Sequence, residues 1–196
     1  MLNVLVLGHS FVENLRRLCE DEGESHKWED PSNARGKVSV SMHGYPGGTV
    51  KRLTAAVEAG LFVHYNPHVV ICQIGGNDCS NRYFDSEAFE SDVDNFIAAC
   101  HKWNVALIFM SVLKQTNPRS CSPDEYIKRQ KIANGILKNK SVQHYFVDFF
   151  KPINVYRTEY EDWDGVHFTK EGYQAFLVAL RKALSWFINK IKPTDG

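Results

Sequence analysis

The feature that most constrains the fold is an alternation of short apolar runs with longer stretches of helical periodicity. Val4-Leu5-Val6-Leu7, Val38 to Met42, Val69 to Ile74, Val105 to Val112 and Val142 to Val147 are strand-length and rich in β-branched residues. Strands that are apolar on both faces belong to a parallel sheet covered on both sides. Only the second run, Val-Ser-Val-Ser-Met, alternates with polar residues. Between the runs, apolar residues recur every three or four positions, as in a helix with one buried face. Phe11, Val12, Leu15 and Leu18 form the first such stripe, and Val50, Leu53, Val57 and Leu61 the second. Phe89, Val93, Phe96, Ile97 and Cys100 form the third, within Ser86 to Trp103. A fourth helix runs from Pro123 to about Asn139. The last, Thr169 to Lys190, turns Tyr173, Phe176, Leu177, Leu180, Leu184 and Phe187 inward.

Alternation of this kind predicts one α/β domain, residues 1–196, built as a three-layer α/β/α sandwich on a five-stranded parallel sheet with right-handed crossovers. Strand order 2-1-3-4-5, with the first strand central, brings the carboxyl ends of strands one and three together, where such sheets bind ligands. Local signals agree. Thr49 is placed to cap the second helix and Pro123 to occupy the first turn of the fourth. Asp21 to Lys37 and Asp148 to Gly165 read as irregular segments.

Charge excludes some functions. Lys plus Arg and Asp plus Glu both number 23, so no bulk charge draws the chain to nucleic acid or an anionic membrane. No run is long enough to span a bilayer, and the amino-terminal residues are better used as strand than as a signal peptide. The five cysteines, Cys19, Cys72, Cys79, Cys100 and Cys121, are scattered without a CxxC pair, which indicates neither a zinc site nor a disulfide framework. His64 and His68, separated by Asn66-Pro67, read as loop residues. A cytoplasmic setting is expected, with no cofactor and no metal.

Polar residues stand where the apolar runs stop. Gly8-His9-Ser10 ends the first, Gly44-Tyr45-Pro46-Gly47-Gly48-Thr49 follows the second, and Gly75-Gly76-Asn77-Asp78 follows the third. Asp162-Trp163-Asp164-Gly165-Val166-His167 precedes the last helix. Singly these are a helix cap, turns and a helix start. Together they meet the needs of acyl transfer. A serine nucleophile needs a base, and a histidine base needs a carboxylate to fix its tautomer. The tetrahedral oxyanion needs preorganised N–H donors. Ser10, His167, Asp164, the Gly47 amide and the Asn77 side chain fill those roles.

The four blocks, GHS, GYPGGT, GGND and DGVH, occur in the order of the SGNH (GDSL-like) hydrolases, which the chain resembles over nearly its whole length. The resemblance implies a flavodoxin-like sheet and a Ser10–Asp164–His167 triad. It implies an oxyanion hole made by the amides of Ser10 and Gly47 and the side chain of Asn77, with Gly48 the other register for the glycine. Where the family usually has Asp, this chain has His9, expected to neighbour the site without serving as its base. The GHSF variant also resembles SGNH domains of animal mobile-element open reading frames.

The function expected is that of a serine esterase on a small-molecule ester, an acetyl or short acyl group on a lipid, sugar or other carrier. A binding or assembly module with little turnover is the alternative. A nucleotide-binding domain is disfavoured, because Gly8-His9-Ser10 lacks a glycine loop to cradle phosphate. Trp163, Phe168, Tyr156, Tyr160 and Tyr83 are expected in core or rim packing. Oligomeric state is not encoded in any recognisable pattern.

Overall fold

The computed structural model describes residues 2–21, 38–142, 146–147 and 158–191. The elements run β1 (Leu2–Gly8), α1 (Ser10–Asp21), β2 (Val38–Gly44), α2 (Val50–Glu58), α3 (Leu61–Tyr65), β3 (Val69–Gln73) and α4 (Gly76–Ser80). They continue with α5 (Ser86–His101), β4 (Ala106–Met110), α6 (Pro123–Lys140), β5 (Phe146–Val147), a single 3-10 turn (Thr158–Tyr160) and α7 (Lys170–Ile191). The strands form one parallel sheet in the order β2-β1-β3-β4-β5, as the alternation predicts. β1 is interior, between β2 and β3, but the middle position belongs to β3.

Alternate residues of β1, β3 and β4 feed two cores. Val4, Val6, Val69, Ile71, Ile108 and Met110 face Phe11, Leu15, Phe176, Leu180 and Leu184 of α1 and α7. Leu5, Leu7, Val70, Cys72, Leu107 and Phe109 face Leu53, Val57, Val93, Phe96 and Leu137 of α2, α5 and α6. This is why the runs are apolar at every position. Each fully buried Leu, Ile, Val or Phe contributes about 1.5–3 kcal/mol relative to exposure. Thr49 caps α2 as expected, its Oγ1 accepting from Arg52 N, and Pro123 occupies the first turn of α6 as expected, with Ser122 before it accepting from Glu125 N.

Several boundaries differ from the sequence reading. The second helix breaks at Gly60, whose φ of 96° is left-handed, so Leu61 begins α3 and is only partly buried. His64 is therefore helical. His68 lies between elements, as expected, where its Nδ1 accepts from Asn3 N at 2.9 Å and its N–H donates to Asn3 O at 2.8 Å. The Gly-Asn-Asp stretch after β3, read as a turn, is the short helix α4. Val142 is 89% exposed in the turn after α6, and the described part of the fifth strand is Phe146–Val147. Cys19, Cys72, Cys79 and Cys100 are core residues. Trp163 and Tyr83, expected in core or rim packing, are 93% and 81% exposed, whereas Phe168 packs on the α1–α7 core. The segments expected to be irregular fall largely outside the described residues, at 22–37 and 148–157, and with them Tyr156. No helix among the described residues is long and apolar enough to cross a membrane.

Candidate active site

The carboxyl ends of β1, β2 and β3 meet through close backbone approaches. Tyr45 N donates to Gly8 O at 2.9 Å, so the chain leaving β2 crosses the end of β1. A Cβ on Gly44 would lie 2.4 Å from Glu13 N, which seats this turn on the first turn of α1. Gly8 has a similar reason to be glycine: a Cβ there would lie 2.5 Å from Gln73 O of the neighbouring strand.

Ser10 is the first residue of α1. The helix receives its opening hydrogen bonds at the carbonyl of His9, from Val12 N and Glu13 N at 3.0 and 3.2 Å. His9 thus closes the helix start with its backbone, and the Ser10 hydroxyl is turned to another partner. Ser10 Oγ lies 2.8 Å from His167 Nε2. His167 Nδ1 lies 2.6 Å from Asp164 Oδ2. The carboxylate fixes the tautomer: Nδ1–H donates to Asp164, which leaves Nε2 as the acceptor for the Ser10 O–H.

Asp164 is itself held. Its Oδ1 accepts from Val166 N and His167 N, both at 2.8 Å. Burial opposes ionisation of this carboxyl, but the His167 backbone and ring N–H groups and the Val166 N–H outweigh it and hold the pKa below its ordinary value. The loop is pinned from below at Gly165, where φ is +65°. The Gly165 carbonyl accepts from Thr116 N and Asn117 N at 2.8 and 3.0 Å, and Asn117 Nδ2 donates to Asp164 O at 3.2 Å. A Cβ on Gly165 would lie 2.5 Å from Asn117 Cβ. Glycine is required here for the φ and for the close approach.

On the other side, Asn77 Nδ2 donates to Gly48 O at 2.8 Å, joining α4 to the turn after β2. That bond uses one amide proton and leaves the second to point elsewhere. Gly48 N donates to Tyr45 O at 2.8 Å inside the same turn. The Gly48 amide is therefore committed, and Gly47, exposed and at φ +69°, is the glycine with room for a ligand. Asp78 faces away, toward Val50 N at the start of α2 at 3.2 and 3.3 Å. Burial pushes its pKa up to about 6, against the lowering effect of the Val50 N–H. His9 is buried under α4 and is separated from His167 by Phe11, whose ring centroid is 5.6 Å from one histidine and 5.5 Å from the other.

Ser10, Asp164 and His167 thus form one hydrogen-bonded chain, and Gly48 and Asn77 a second contact on neighbouring strand ends. The sequence reading missed the supports: Thr116 and Asn117 beneath Gly165, the Gly48 carbonyl that orients Asn77, and Phe11 between the histidines. The first two rest on backbone atoms of segments distant in sequence and carry no local signal. Phe11 was visible only as part of an apolar stripe.

The contacts gather at the carboxyl ends of the strands, and comparison with known proteins places the chain in a family. The model of the GDSL-like lipase/acylhydrolase family matches residues 6–175, and the chain belongs to that family. A GDSL-like lipase from Bacteroides thetaiotaomicron is similar in structure, with a TM-score of 0.71 and 19% identity over 93% of this chain and 87% of that one. A lipase/acylhydrolase from Enterococcus faecalis has a TM-score of 0.69 and 17% identity, covering 100% of both chains. The psychrotrophic esterase EstA from Pseudoalteromonas, whose structure is inhibited by monoethylphosphonate, has a TM-score of 0.68 and 12% identity over 95% of this chain and 99% of that one. At these identities the likeness is one of fold. No curated protein matches by sequence.

Proposed function

We propose that the chain is a serine esterase that hydrolyses a small ester, carrying an acetyl or short acyl group, through Ser10, His167 and Asp164. The observation that carries this reading is the continuous chain from Ser10 Oγ to His167 Nε2 and from His167 Nδ1 to Asp164 Oδ2. In the first step Ser10 Oγ attacks the ester carbonyl carbon as its proton passes to His167 Nε2. Asp164, kept ionised, stabilises the imidazolium. The carbonyl oxygen gains negative charge within reach of the Ser10 and Gly47 amides and the free Asn77 Nδ2 proton. The Ser10 amide opens α1, where the helix dipole also favours an anion. The tetrahedral adduct collapses, the C–O bond to the alcohol breaks, and the alcohol takes the proton from Nε2. Water then repeats the sequence on the acyl-Ser10, with His167 removing its proton, and releases the acid.

Reaction with a fluorophosphonate tests the nucleophile. The wild-type protein is expected to be labelled at Ser10 and to hydrolyse p-nitrophenyl acetate faster than long-chain esters. Ser10→Ala is expected to do neither while keeping its fold. A protein that folds, resists labelling and hydrolyses none of the ester series would instead be a binding module on the same frame.

A further inference from the structure

His9 is the one ionisable side chain beside Ser10 that the reaction does not use. It is 1% exposed, and neither Nδ1 nor Nε2 has a hydrogen-bond partner among the described residues. Leaving buried polar atoms unpaired is unfavourable, so hydrogen bonding to the described residues gives the fold no reason to hold an imidazole here. Its neighbours indicate what it does. One side of the ring meets Phe11 edge-on. The other lies against Gly76, where an added Cβ would be 2.8 Å from His9 Nε2 and 3.1 Å from Cε1. Gln115 Nε2 flanks the same point at 3.6 Å. Two more side chains near these strand ends repeat the pattern. Gln73, paired in register with Gly8, is fully buried with both amide atoms unpartnered, and Gln115 Oε1 is buried and unpartnered.

We propose that His9 is a positioning residue for the oxyanion hole, a wedge of set length that spans from the nucleophile turn to Gly76 and holds Asn77 in register with Ser10. The reasoning is geometric. His9 immediately precedes Ser10, and Gly76 immediately precedes Asn77, so one ring contact sets the separation of the two groups that must meet the same carbonyl. Gly76 is glycine because the ring leaves no room for a Cβ. A shorter side chain at position 9 would let the α4 turn sink. A longer one would lift it, because a phenyl ring reaches past the place of Nε2 and Cε1 into Gly76. Misplacement of about 1 Å at such a site lowers the rate by roughly a hundredfold. The inference rests on the proposed role of Asn77 as an oxyanion donor.

The test is a set of variants assayed for kcat, KM and melting temperature. His9→Phe is expected to lower kcat ten- to a hundredfold. Its KM should be nearly unchanged, and its melting temperature near wild type, because removing two unpaired nitrogens offsets the crowding at Gly76. A side chain that mattered only for folding would lower stability and rate together. In an Asn77→Ala background the His9→Phe loss should disappear. Gly76→Ala approaches the contact from the other side, so it too should lose kcat. The double variant Gly76→Ala/His9→Asn, which shortens the wedge, should recover part of it, and this pair decides the matter if His9→Phe does not fold. Additive losses in the Asn77→Ala background, or no recovery in the double variant, overturn the positioning role. If Asn77→Ala alone keeps its full kcat, the oxyanion assignment fails first, and the two failures are told apart by that single measurement.

Discussion

Three ionisable side chains at the strand ends illustrate how placement sets chemistry. Asp164 accepts three N–H donors and stays ionised well into acid, so its contribution to stability is present at neutral pH and lost as pH falls through its lowered pKa. Asp164→Asn presents an amide to Nδ1 and favours the wrong tautomer. We expect kcat to fall by roughly 10³–10⁴ with little change in melting temperature, read from paired kinetic and thermal assays. Asp78 and His9 have the opposite character, each held toward its neutral form by burial. Asp78 is pushed from 3.8 up to about 6, so folding takes up a proton there and stability falls as pH rises from about 4 through 6. His9 is pushed from 6.5 down to about 3, first by burial and then by His167, so folding releases a proton there and stability falls as pH drops from 6.5 toward 3. The two slopes oppose each other between pH 4 and 6. Asp78→Asn removes one of them. Its melting temperature should match wild type near pH 4, exceed it at pH 7, and climb more steeply between. Parallel melting curves for the two proteins across that range would refute the assignment.

Among the elements, the loop from Asp162 to Thr169 shows how much of the site is imposed by neighbours. Its turn is closed by Gly165 N to Asp162 O and Asp162 N to His167 O, and the Thr116–Asn117 backbone seats it. Gly165→Ala combines a left-handed φ with a Cβ driven into Asn117. We expect at least a hundredfold loss of kcat/KM, since displacement of the loop moves Asp164 and His167 together. Asn117→Ala, which loses one hydrogen bond at 3.2 Å, should cost far less. Assay of both variants against the same ester separates seat from clasp. The sheet was legible because β1, β3 and β4 are apolar on both faces, and that pattern has few other readings. Ser10, Asn77, Asp164 and His167 stood out in the sequence because acyl transfer demands groups of those types, and the structure joins Ser10, His167 and Asp164 by hydrogen bonds. Gly60 ended a helix whose apolar stripe ran on to Leu61, so periodicity concealed the break. α4 is built from Gly-Asn-Asp-Cys-Ser, poor helix formers that become helical because Cys79 and Ser80 are buried beneath the turn. Val142 is apolar and exposed, and an apolar residue beside a strand gives no sign of facing solvent.

For the whole molecule, the proposed nucleophile and its proposed base lie 157 residues apart in sequence. Ser10 opens α1, and His167 lies just before α7, with the two helices packed on one face of the sheet and joined by Asn14 Nδ2 donating to Tyr173 Oη at 3.0 Å. β1 can pair with β2 and β3 before α7 docks, yet the hydroxyl is an ordinary alcohol until it does. Closing so long a loop is entropically slow relative to local helix formation. Esterase activity should therefore return on refolding from urea no earlier than the last change in tryptophan fluorescence, and a fluorophosphonate added during refolding should label only molecules that have completed it. During synthesis the same order applies. Ser10 leaves the ribosome 157 residues before His167, so on the proposed assignment a nascent chain carries no activated nucleophile until His167 has been made and folded back, and the unfinished protein would be shielded from its own chemistry and from serine-directed poisons.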